Sequence, residues 1–215
     1  MNIGVLGTGM VGNAIGTKLV QLGHKVKMGS RTADNPKAAA WVKANGASAS
    51  QGTFADAAQF GELLFNCTAG MASLEVLKLA GADNLKGKIL IDIANPLDFS
   101  KGMPPSLSVC NTDSLGEQIQ RAFPDLKVVK TLNTVNCNVM VNPTLVPGDH
   151  DIFVSGNDSA AKAKVTEILK NWFGWKSVID LGDITTARGT EMLLPIWIRL
   201  WGILQTPNFN FKIAR

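Results

Sequence analysis

The start of the chain carries a glycine-rich turn whose spacing suits the binding of a diphosphate. The turn runs from Gly7 to Gly12 and reads Gly-Thr-Gly-Met-Val-Gly, between an apolar run that ends at Leu6 and a helix-period run that begins at Ala14. Its first glycine permits a tight turn, its second lets a pyrophosphate approach the backbone, and its third allows the helix to pack closely on the strand. The positive end of the helix then faces the phosphates. A chance glycine-rich turn lacks this context, so the pattern predicts a dinucleotide site.

Ser30 and Arg31, at the end of the second predicted strand, indicate which dinucleotide fits. An NAD-binding chain carries Asp or Glu there, about 20 residues past the glycines, to bind the ribose 2′-hydroxyl. In this chain no carboxylate precedes Asp34. Ser30 can donate a hydrogen bond to a 2′-phosphate, and Arg31 can bind it while stacking on adenine. Lys37 can add charge from the next helix. A solvated arginine is the simpler interpretation, but this position favours NADP(H).

The residues that usually supply a proton during carbonyl reduction are scarce. The chain has no tyrosine, so a Tyr–Lys proton donor cannot be built. Its histidines are His24, expected in a turn at the far edge of the sheet, and His150, expected in a surface loop. Reducing a carbonyl or imine leaves a charge that a general acid usually relieves. A flavin-like ring can accept hydride and delocalise the charge, so it needs orientation more than an acid. This favours a flavin-like acceptor, with Lys or Asp donors left open.

Apolar runs alternate with helix-period segments along the whole chain. Strands are predicted at Asn2–Leu6, Lys25–Gly29, Leu63–Thr68, Ile89–Ala94, Val128–Leu132, Ile152–Ser155 and Val178–Leu181, with a further one near Ala47–Ser50. Helices are predicted at 10–22, 35–45, 54–60, 72–80, 114–123, 159–172 and 186–204. Such alternation predicts an α/β fold with a Rossmann-like, doubly wound and mostly parallel sheet. We expect a single domain over 1–215, with a Rossmann core at 1–145 and a small C-terminal α/β extension at 146–215.

One long segment, Asn95 to Thr112, shows no clear strand or helix pattern and is rich in Pro and Ser. Long loops in compact domains are usually functional. Because this segment follows a strand at the expected carboxyl edge of the sheet, it is a candidate lid over the site.

Composition and charge exclude several classes of protein. Hydrophobic residues make up 46% and charged residues 18% of the 215, which excludes a disordered chain. The net charge is +4 and the basic residues are scattered, so a small anionic ligand fits better than nucleic acid. The longest apolar stretch, Met192 to Leu204, contains Pro195 and Arg199 and is shorter than the roughly 20 residues that span a bilayer. We therefore expect no membrane partner.

The cysteines and the first residues indicate a reducing compartment. The three cysteines lack metal-ligand spacing and suit free thiols, and no signal peptide precedes the first strand. We therefore expect a cytoplasmic protein without a metal. The Trp197 and Trp201 pair places an apolar stripe against the sheet or a second subunit. We expect a homodimer that acts on a small-molecule redox acceptor.

Taken together, these motifs resemble those of the F-420-dependent NADP oxidoreductase family. The resemblance covers nearly the whole chain and rests on the glycine turn, Gly29 to Arg31, Asn133 with Thr134, Arg188 with Glu191, and the terminal Phe209 to Ile213. The same fold forms the cytosolic domain of the Steap metalloreductases, whose membrane helices have no counterpart in this sequence. The chain departs from the archaeal enzymes at 66–71, where they tend to have a proline and a bulky residue, and at Asn133, which replaces a histidine.

The resemblance implies direct hydride transfer between NADPH and a flavin or deazaflavin such as F-420, with few or no acid–base residues. It places the pyrophosphate on Thr8, Gly9, Met10, Val11 and Gly12, which follow the turn at Gly7, and the 2′-phosphate on Ser30 and Arg31. It places Thr68, Ala69 and Met71 beside the ribose. It places Asn95, Pro96, Asn133, Thr134 and Cys137 at the nicotinamide end, where Asn133 and Thr134 orient the ring.

Two other functions stay compatible with the sequence. One is an NADPH-dependent reductase of an imine or 2-keto acid, although such enzymes carry a long helical second domain. The other is a redox sensor that binds NADP without turnover, although no DNA-binding segment is recognisable. At the level of single residues, Cys67 and Cys137 also fit small buried hydrophobes, and the asparagines from Asn133 to Asn142 also fit turn formers.

Overall fold

An eight-stranded sheet forms the centre of the molecule. The structure is a computed structural model and describes residues 1–214. The strands in this part of the chain are β1 (Asn2–Leu6), β2 (Lys25–Ser30), β3 (Ala49–Thr53), β4 (Leu63–Asn66), β5 (Ile89–Asp92), β6 (Leu97–Asp98), β7 (Ser106–Leu107), β8 (Lys127–Thr131), β9 (Asp151–Ser155) and β10 (Ser177–Gly182). The order in the main sheet is β3-β2-β1-β4-β5-β8-β9-β10, whereas β6 and β7 pair only with each other.

The direction of the strands decides which ends meet at one edge. Neighbours from β3 through β8 run parallel, β8 and β9 run antiparallel, and β9 and β10 run parallel to each other. The carboxyl ends of six strands therefore share one edge with the beginnings of β9 and β10. The predicted Rossmann-like, doubly wound and mostly parallel sheet is confirmed.

Helices cover both faces of the sheet. They are α1 (Met10–Gln21), α2 (Pro36–Asn45), α3 (Phe54–Phe60), α4 (Gly70–Ala80), α5 (Ala82–Leu85), α6 (Leu115–Ala122), α7 (Cys137–Val141), α8 (Ser159–Asn171), α9 (Ala187–Met192) and α10 (Leu194–Leu204). Successive strand residues point to opposite faces, so Phe65 packs in one apolar cluster with α1, α2, α7 and α8, whereas Leu64 packs in the other with α3, α4 and α6.

Local side-chain bonds begin several of these helices. Asn35 caps α2 with Pro36 in the first turn, and Thr53 and Asp56 form a reciprocal capping box at α3. At α6 the Ser114 hydroxyl accepts from the Glu117 amide, but the Glu117 carboxylate binds that hydroxyl and Arg188 instead of the Ser114 amide. Such caps are typically worth about 1 kcal/mol each.

The short helices α5 and α7 were not predicted, and three further differences from the predicted elements have a physical cause. The predicted third strand begins at Ala49 and runs on to Thr53, because it takes its register from β2. The predicted last helix is divided into two helices that meet at Leu193. Pro195 lies in the first turn of the second helix, where a missing amide proton is tolerated. The 95–112 segment is not structureless, because β6 and β7 form a short antiparallel ladder within it. None of the helices in residues 1–214 is long and apolar enough to cross a membrane.

His150 lies in the loop before β9, as the sequence predicts, but its side chain is packed against neighbouring residues. Its ring is half-buried edge-on against Trp175, 5.3 Å between centroids, and its two nitrogens contact the Pro143 carbonyl at 3.1 Å and the Asn210 amide at 2.9 Å. The Phe211 carbonyl also accepts from the first amide of β9. These bonds hold the C-terminal segment against the start of β9. His150 therefore has a structural role, and it lines neither of the cavities at the glycine turn.

Candidate functional site

The glycine turn joins β1 to α1 at the carboxyl edge of the sheet. Gly7 has φ +118°, which L side chains rarely adopt, and a Cβ there would lie 2.6 Å from the Cys67 carbonyl oxygen. A Cβ on Gly12 would overlap the Gly7 carbonyl. Gly9 is different, since nothing lies within 4 Å of its Cβ position. Gly7 and Gly12 are therefore required by the fold, whereas Gly9 leaves open space beside the backbone.

The N-terminus of α1 has the properties of an anion site. Gly9 occupies the N-cap position, no side chain caps the helix, and the first turn contains no acidic residue. The first amides of a helix have no partner within it and carry partial positive charge. Here they face the open space above Gly9. A phosphate group is the ligand that such an arrangement fits, because its oxygens accept several amide bonds at once.

Two cavities adjoin this turn. The first, which we call the Arg31 cavity, has a volume of about 290 Å³ and is lined by Gly7, Thr8, Gly9, Gly29, Ser30, Arg31, Asn35, Phe54, Cys67, Thr68, Ala69, Ala72 and Val76. Ser30 is buried and donates to the Thr32 carbonyl at 2.5 Å, whereas the Arg31 side chain is exposed. Within the described residues no carboxylate lines this cavity or pairs with Arg31.

Lys37 is not in the Arg31 cavity. It lies exposed in the first turn of α2 and lines a broad groove along α1, together with Thr8, Gly9 and Lys18. The groove meets the Arg31 cavity at the glycine turn, because Thr8 and Gly9 line both. Lys37 therefore does not line the same cavity as Ser30 and Arg31, with which the sequence groups it.

The second cavity, which we call the Asn133 cavity, lies on the other side of the turn and has a volume of about 370 Å³. Its lining is mostly apolar: Met10, Val11, Cys67, Thr68, Ala69, Gly70, Ile93, Ala94, Asn95, Leu97, Phe99, Asn133, Val135, Asn136, Cys137, Met140, Leu194 and Trp197. Cys67, Thr68 and Ala69 line both cavities. The two cavities and the turn between them form a site for an extended ligand with two ends and a phosphate centre.

A reciprocal pair of amides fixes one wall of the Asn133 cavity. Asn95 Nδ2 donates to the main-chain carbonyl of Asn133 at 2.8 Å, and Asn133 Nδ2 donates to the side-chain oxygen Oδ1 of Asn95 at 2.9 Å. The predicted neighbours of this pair lie behind it. Pro96 and Thr134 are buried outside the lining, and the Thr134 hydroxyl oxygen has no partner within the described chain.

The Asn133 cavity offers no strong acid or base. Within residues 1–214 its only titratable side chains are Cys67 and Cys137. Burial raises the pKa of the Cys67 thiol, and the nearby Asp92 carboxylate raises it further. Burial also raises the pKa of Cys137. Both thiols are therefore protonated at neutral pH, and the cavity can orient a ligand but has no group suited to exchange a proton with it.

The sequence did not predict some of the residues that line the site, and it predicted one residue that the structure places outside both cavities. Leu194 and Trp197 reach the Asn133 cavity from α10, far from the other lining residues in the chain, and Phe99 reaches it from the 95–112 segment. Met71 is 62% exposed on α4 and lines neither cavity. No sequence pattern places the last helix beside the first turn, because that contact depends on how β9 and β10 extend the sheet.

A buried ionic cluster lies below the carboxyl edge of the sheet. Lys130 Nζ lies 2.9 Å from Asp92 Oδ2 and 2.8 Å from Glu191 Oε1, and it also donates to the Ala94 carbonyl. Burial alone would lower the pKa of Lys130, but the two carboxylates outweigh it and raise the pKa, so the lysine is charged. Glu191 further accepts from the first amides of α6. The signal for this cluster was a charged residue directly after an apolar run in each of two strands: Asp92 after Ile89–Ile91, and Lys130 after Val128 and Val129.

Comparison with known proteins agrees with this geometry. Residues 2–96 match the sequence profile of a family described as NADP oxidoreductase, coenzyme F420-dependent. The F420-dependent NADP reductase of Methanocaldococcus jannaschii is 31% identical over 210 residues, covering 93% of this chain and 92% of the relative. A crystal structure of a putative F420-dependent NADP-reductase from Arthrobacter sp. FB24 is 57% identical with a TM-score of 0.93, and the likeness covers 99% of each chain.

These matches define the class of protein first: the chain is an oxidoreductase with a Rossmann fold. It belongs to the family of F420-dependent NADP oxidoreductases, as the motifs predict.

More distant matches share only part of their length with the chain or show only the fold. Rat metalloreductase STEAP3 is 29% identical over 201 residues, which are 91% of this chain and 37% of that protein. A reductive aminase from Aspergillus terreus is 22% identical with a TM-score of 0.67, and the alignment covers 95% of this chain and 62% of the aminase. The aminase likeness shows the fold alone.

Proposed function

We propose that this protein transfers hydride directly between NADP(H) and a flavin or deazaflavin acceptor, with F-420 as one candidate. The observation that carries the proposal is the content of the Asn133 cavity. Its titratable groups, within the described residues, are two thiols whose pKa values are raised, so no side chain is suited to protonate a reduced carbonyl. A flavin-like ring delocalises the charge that arrives with hydride and needs no such acid.

The cofactor fits the site in one orientation. The amides of Met10, Val11 and Gly12 would hold the diphosphate, since the helix that they begin is uncapped. Arg31 would bind the 2′-phosphate in the Arg31 cavity, where no carboxylate repels it. Ser30 would join it once its hydroxyl turns from the Thr32 carbonyl to the phosphate. The reactive end of the cofactor, which supplies or accepts the hydride, would then lie in the Asn133 cavity.

The chain's own residues then orient and shield the reacting rings. The Asn95 and Asn133 side chains are held by each other, so they form a fixed edge for a carboxamide to bind. Trp197 and Phe99 present apolar surface to the same cavity and exclude water from it. Orientation of this kind can account for a large part of a rate enhancement without proton transfer.

A stopped-flow screen of acceptors tests the proposal. The full chain is mixed with NADPH and, in separate runs, FMN, riboflavin, F-420, an imine and a 2-keto acid, and the loss of nicotinamide absorbance is followed. We expect fast oxidation of NADPH with at least one of the three ring acceptors. Turnover with the imine or keto acid and none with the rings would favour the alternative reductase and overturn the proposal. Binding without turnover across the panel would favour a redox sensor.

The identity of the step can be checked by isotopes. With NADPH deuterated at the transferred position the rate should fall, whereas transfer in heavy water should leave it nearly unchanged, because no proton moves in the same step. A large solvent isotope effect would mean that a proton donor takes part, and the direct mechanism would fail.

A further inference from the structure

A chain of hydrogen-bonded, mostly buried polar side chains leads to Thr68, in the segment 67–69 that lines both cavities. Lys130 Nζ donates to Asp92 Oδ2 at 2.9 Å, Asp92 Oδ1 accepts from Asn66 Nδ2 at 2.8 Å, and Asn66 Oδ1 accepts from the Thr68 hydroxyl at 2.7 Å. Lys130, Asp92 and Asn66 are fully buried. Thr68 is the member that reaches the site, where it lines both the Arg31 cavity and the Asn133 cavity.

The charged end of this chain fixes the order of donors and acceptors along it. An ammonium group only donates and a carboxylate only accepts, so Asn66 must turn its NH₂ group toward Asp92. Its carbonyl oxygen then faces Thr68, whose hydroxyl proton is used in that bond. The opposite orientation of the amide would set two oxygen atoms against each other in a site that excludes water, and buried polar groups are rarely left in that state.

Ser73 completes the arrangement around Thr68. Its hydroxyl lies 3.1 Å from Asn66 Nδ2, which can only donate, so Ser73 accepts there. The Ser73 proton is then free for the Thr68 oxygen at 2.8 Å, the nearer of its two acceptors, since the Ala69 carbonyl is 3.4 Å away. Thr68 thus donates to one neighbour, accepts from another, and has one lone pair left for the cavities.

We propose that Asn66 is a positioning residue that, with Asp92 and Lys130, presents Thr68 to the bound nucleotide as a hydrogen-bond acceptor only. The ligand group opposite Thr68 is then a donor, a sugar hydroxyl, and not a phosphate oxygen, which at neutral pH accepts bonds. This inference rests on the proposed function, because it requires a dinucleotide that spans both cavities. Glu191 binds the same lysine, so helix α9 supports the arrangement from the C-terminal part of the chain.

Coupled substitutions test the inference. NADPH is titrated into the full chain and its Kd is followed by quenching of tryptophan fluorescence, for wild type, Thr68→Val, Asn66→Leu and the double variant. We expect each single change to weaken binding by about tenfold, the worth of one directed hydrogen bond. The double variant should bind NADPH no more weakly than the single variant with the higher Kd, because both changes remove the same hydrogen bond. Factors that multiply in the double variant, or a wild-type Kd in Asn66→Leu, would overturn the inference.

Matched controls separate positioning from folding. Thr68→Ser keeps the hydroxyl and should recover most of the affinity that Thr68→Val loses. Ser73→Ala leaves the order from Lys130 to Thr68 intact, so it should bind NADPH nearly as wild type does. If Asn66→Leu does not fold, Asp92→Asn replaces it. Glu191 still neutralises Lys130 in that variant, and the neutral amide at position 92 lets Asn66 turn over and makes Thr68 a donor. We expect weaker binding in Asp92→Asn and no additional loss from Thr68→Val in that background. A tighter Kd would mean that a phosphate oxygen faces Thr68, which contradicts the inference.

The failure of this inference is distinguishable from failure of the proposed function. If wild type neither binds nor oxidises NADPH, the proposed function is wrong. If wild type oxidises NADPH with a ring acceptor while the substitutions at Asn66 and Thr68 act independently, only the positioning role is wrong. A purely structural role would lower the melting temperature of the variants without the coupling in Kd.

Discussion

Arg31 is the residue on which the choice of nucleotide depends. Its guanidinium is exposed, it pairs with no carboxylate of the described chain, and it opens onto the cavity that begins at the glycine turn. The sequence could predict this, because the end of the second strand in this fold always lies beside the first β–α turn. Lys37 could not be placed in the same way, since its direction depends on how α2 sits above α1.

Replacing Arg31 tests that dependence. We expect Arg31→Ala to weaken NADPH binding by about 10- to 100-fold, since a hydrogen bond to a charged group contributes about 1.5–3 kcal/mol. NADH, which has no 2′-phosphate, should bind with nearly the wild-type Kd. Fluorescence titration with both nucleotides gives the ratio. Lys37→Ala is the matched control and should change the ratio little. An unchanged NADPH affinity in Arg31→Ala would refute the assignment of the cofactor.

Cys137 gives a prediction about pH. Burial raises the pKa of its thiol above the ordinary value, so the protonated form persists through neutral pH and into the alkaline range. We therefore expect the single-turnover rate of hydride transfer to be flat between about pH 6 and 8, where an ordinary histidine would titrate, and Cys137→Ser to keep the profile. A single-turnover rate that changes with a midpoint near pH 6.5, and still does so in the cysteine variants, would mean that another group transfers a proton.

At the scale of elements, the first β–α unit could be predicted in full and the later ones only in part. Its turn, strand and helix are specified by adjacent residues, and the structure places them at Asn2–Leu6 and Met10–Gln21. The short ladder at Leu97–Asp98 and Ser106–Leu107 was missed, because strands of two residues are too short to show an alternating pattern. The break at Leu193 was missed because the apolar run continues through it.

The glycines of the turn give a pair of matched substitutions with opposite expectations. A Cβ on Gly9 meets nothing within 4 Å, and its backbone at φ −78° suits any residue, so Gly9→Ala should fold with a near-wild-type melting temperature but bind NADPH weakly. A Cβ on Gly12 overlaps the Gly7 carbonyl, so Gly12→Ala should lose stability, by about 1–3 kcal/mol.

Urea unfolding and NADPH titration of both glycine variants measure the contrast. If Gly9→Ala bound NADPH as tightly as wild type, the ligand would not approach the backbone at that position. If Gly12→Ala kept full stability, the close packing of α1 on β1 would not be a constraint.

At the scale of the whole molecule, the C-terminal part shares the sheet, both apolar clusters and a buried ionic cluster with the Rossmann core. Strands β9 and β10 continue the sheet beyond β8, and Glu191 reaches Lys130 at its centre. The division into a core at 1–145 and an extension at 146–215 stays a prediction. The sequence could show that Lys130 and Asp92 are unusual within apolar strands, but only the strand order brings them together with Glu191. Removing one member of such a buried cluster typically costs about 3–5 kcal/mol.

The homodimer is the last prediction, and it depends on the face of α10 that the single chain leaves uncovered. Trp201 is 44% and Ile203 77% exposed, next to Ile196 and Leu204, whereas only Leu194 and Ile198 of this helix are buried. Four large exposed apolar side chains on one helix are typical of an interface, and a second copy of the chain would cover them by the same helix. Light scattering after size exclusion should give twice the mass of one chain for wild type and the mass of one chain for Trp201→Glu. Leu79→Glu, which changes a residue of 52% exposure on α4, is the matched control and should remain dimeric. A monomeric wild type, or a dimer that Trp201→Glu leaves intact, would contradict the prediction and leave that apolar face for a different partner.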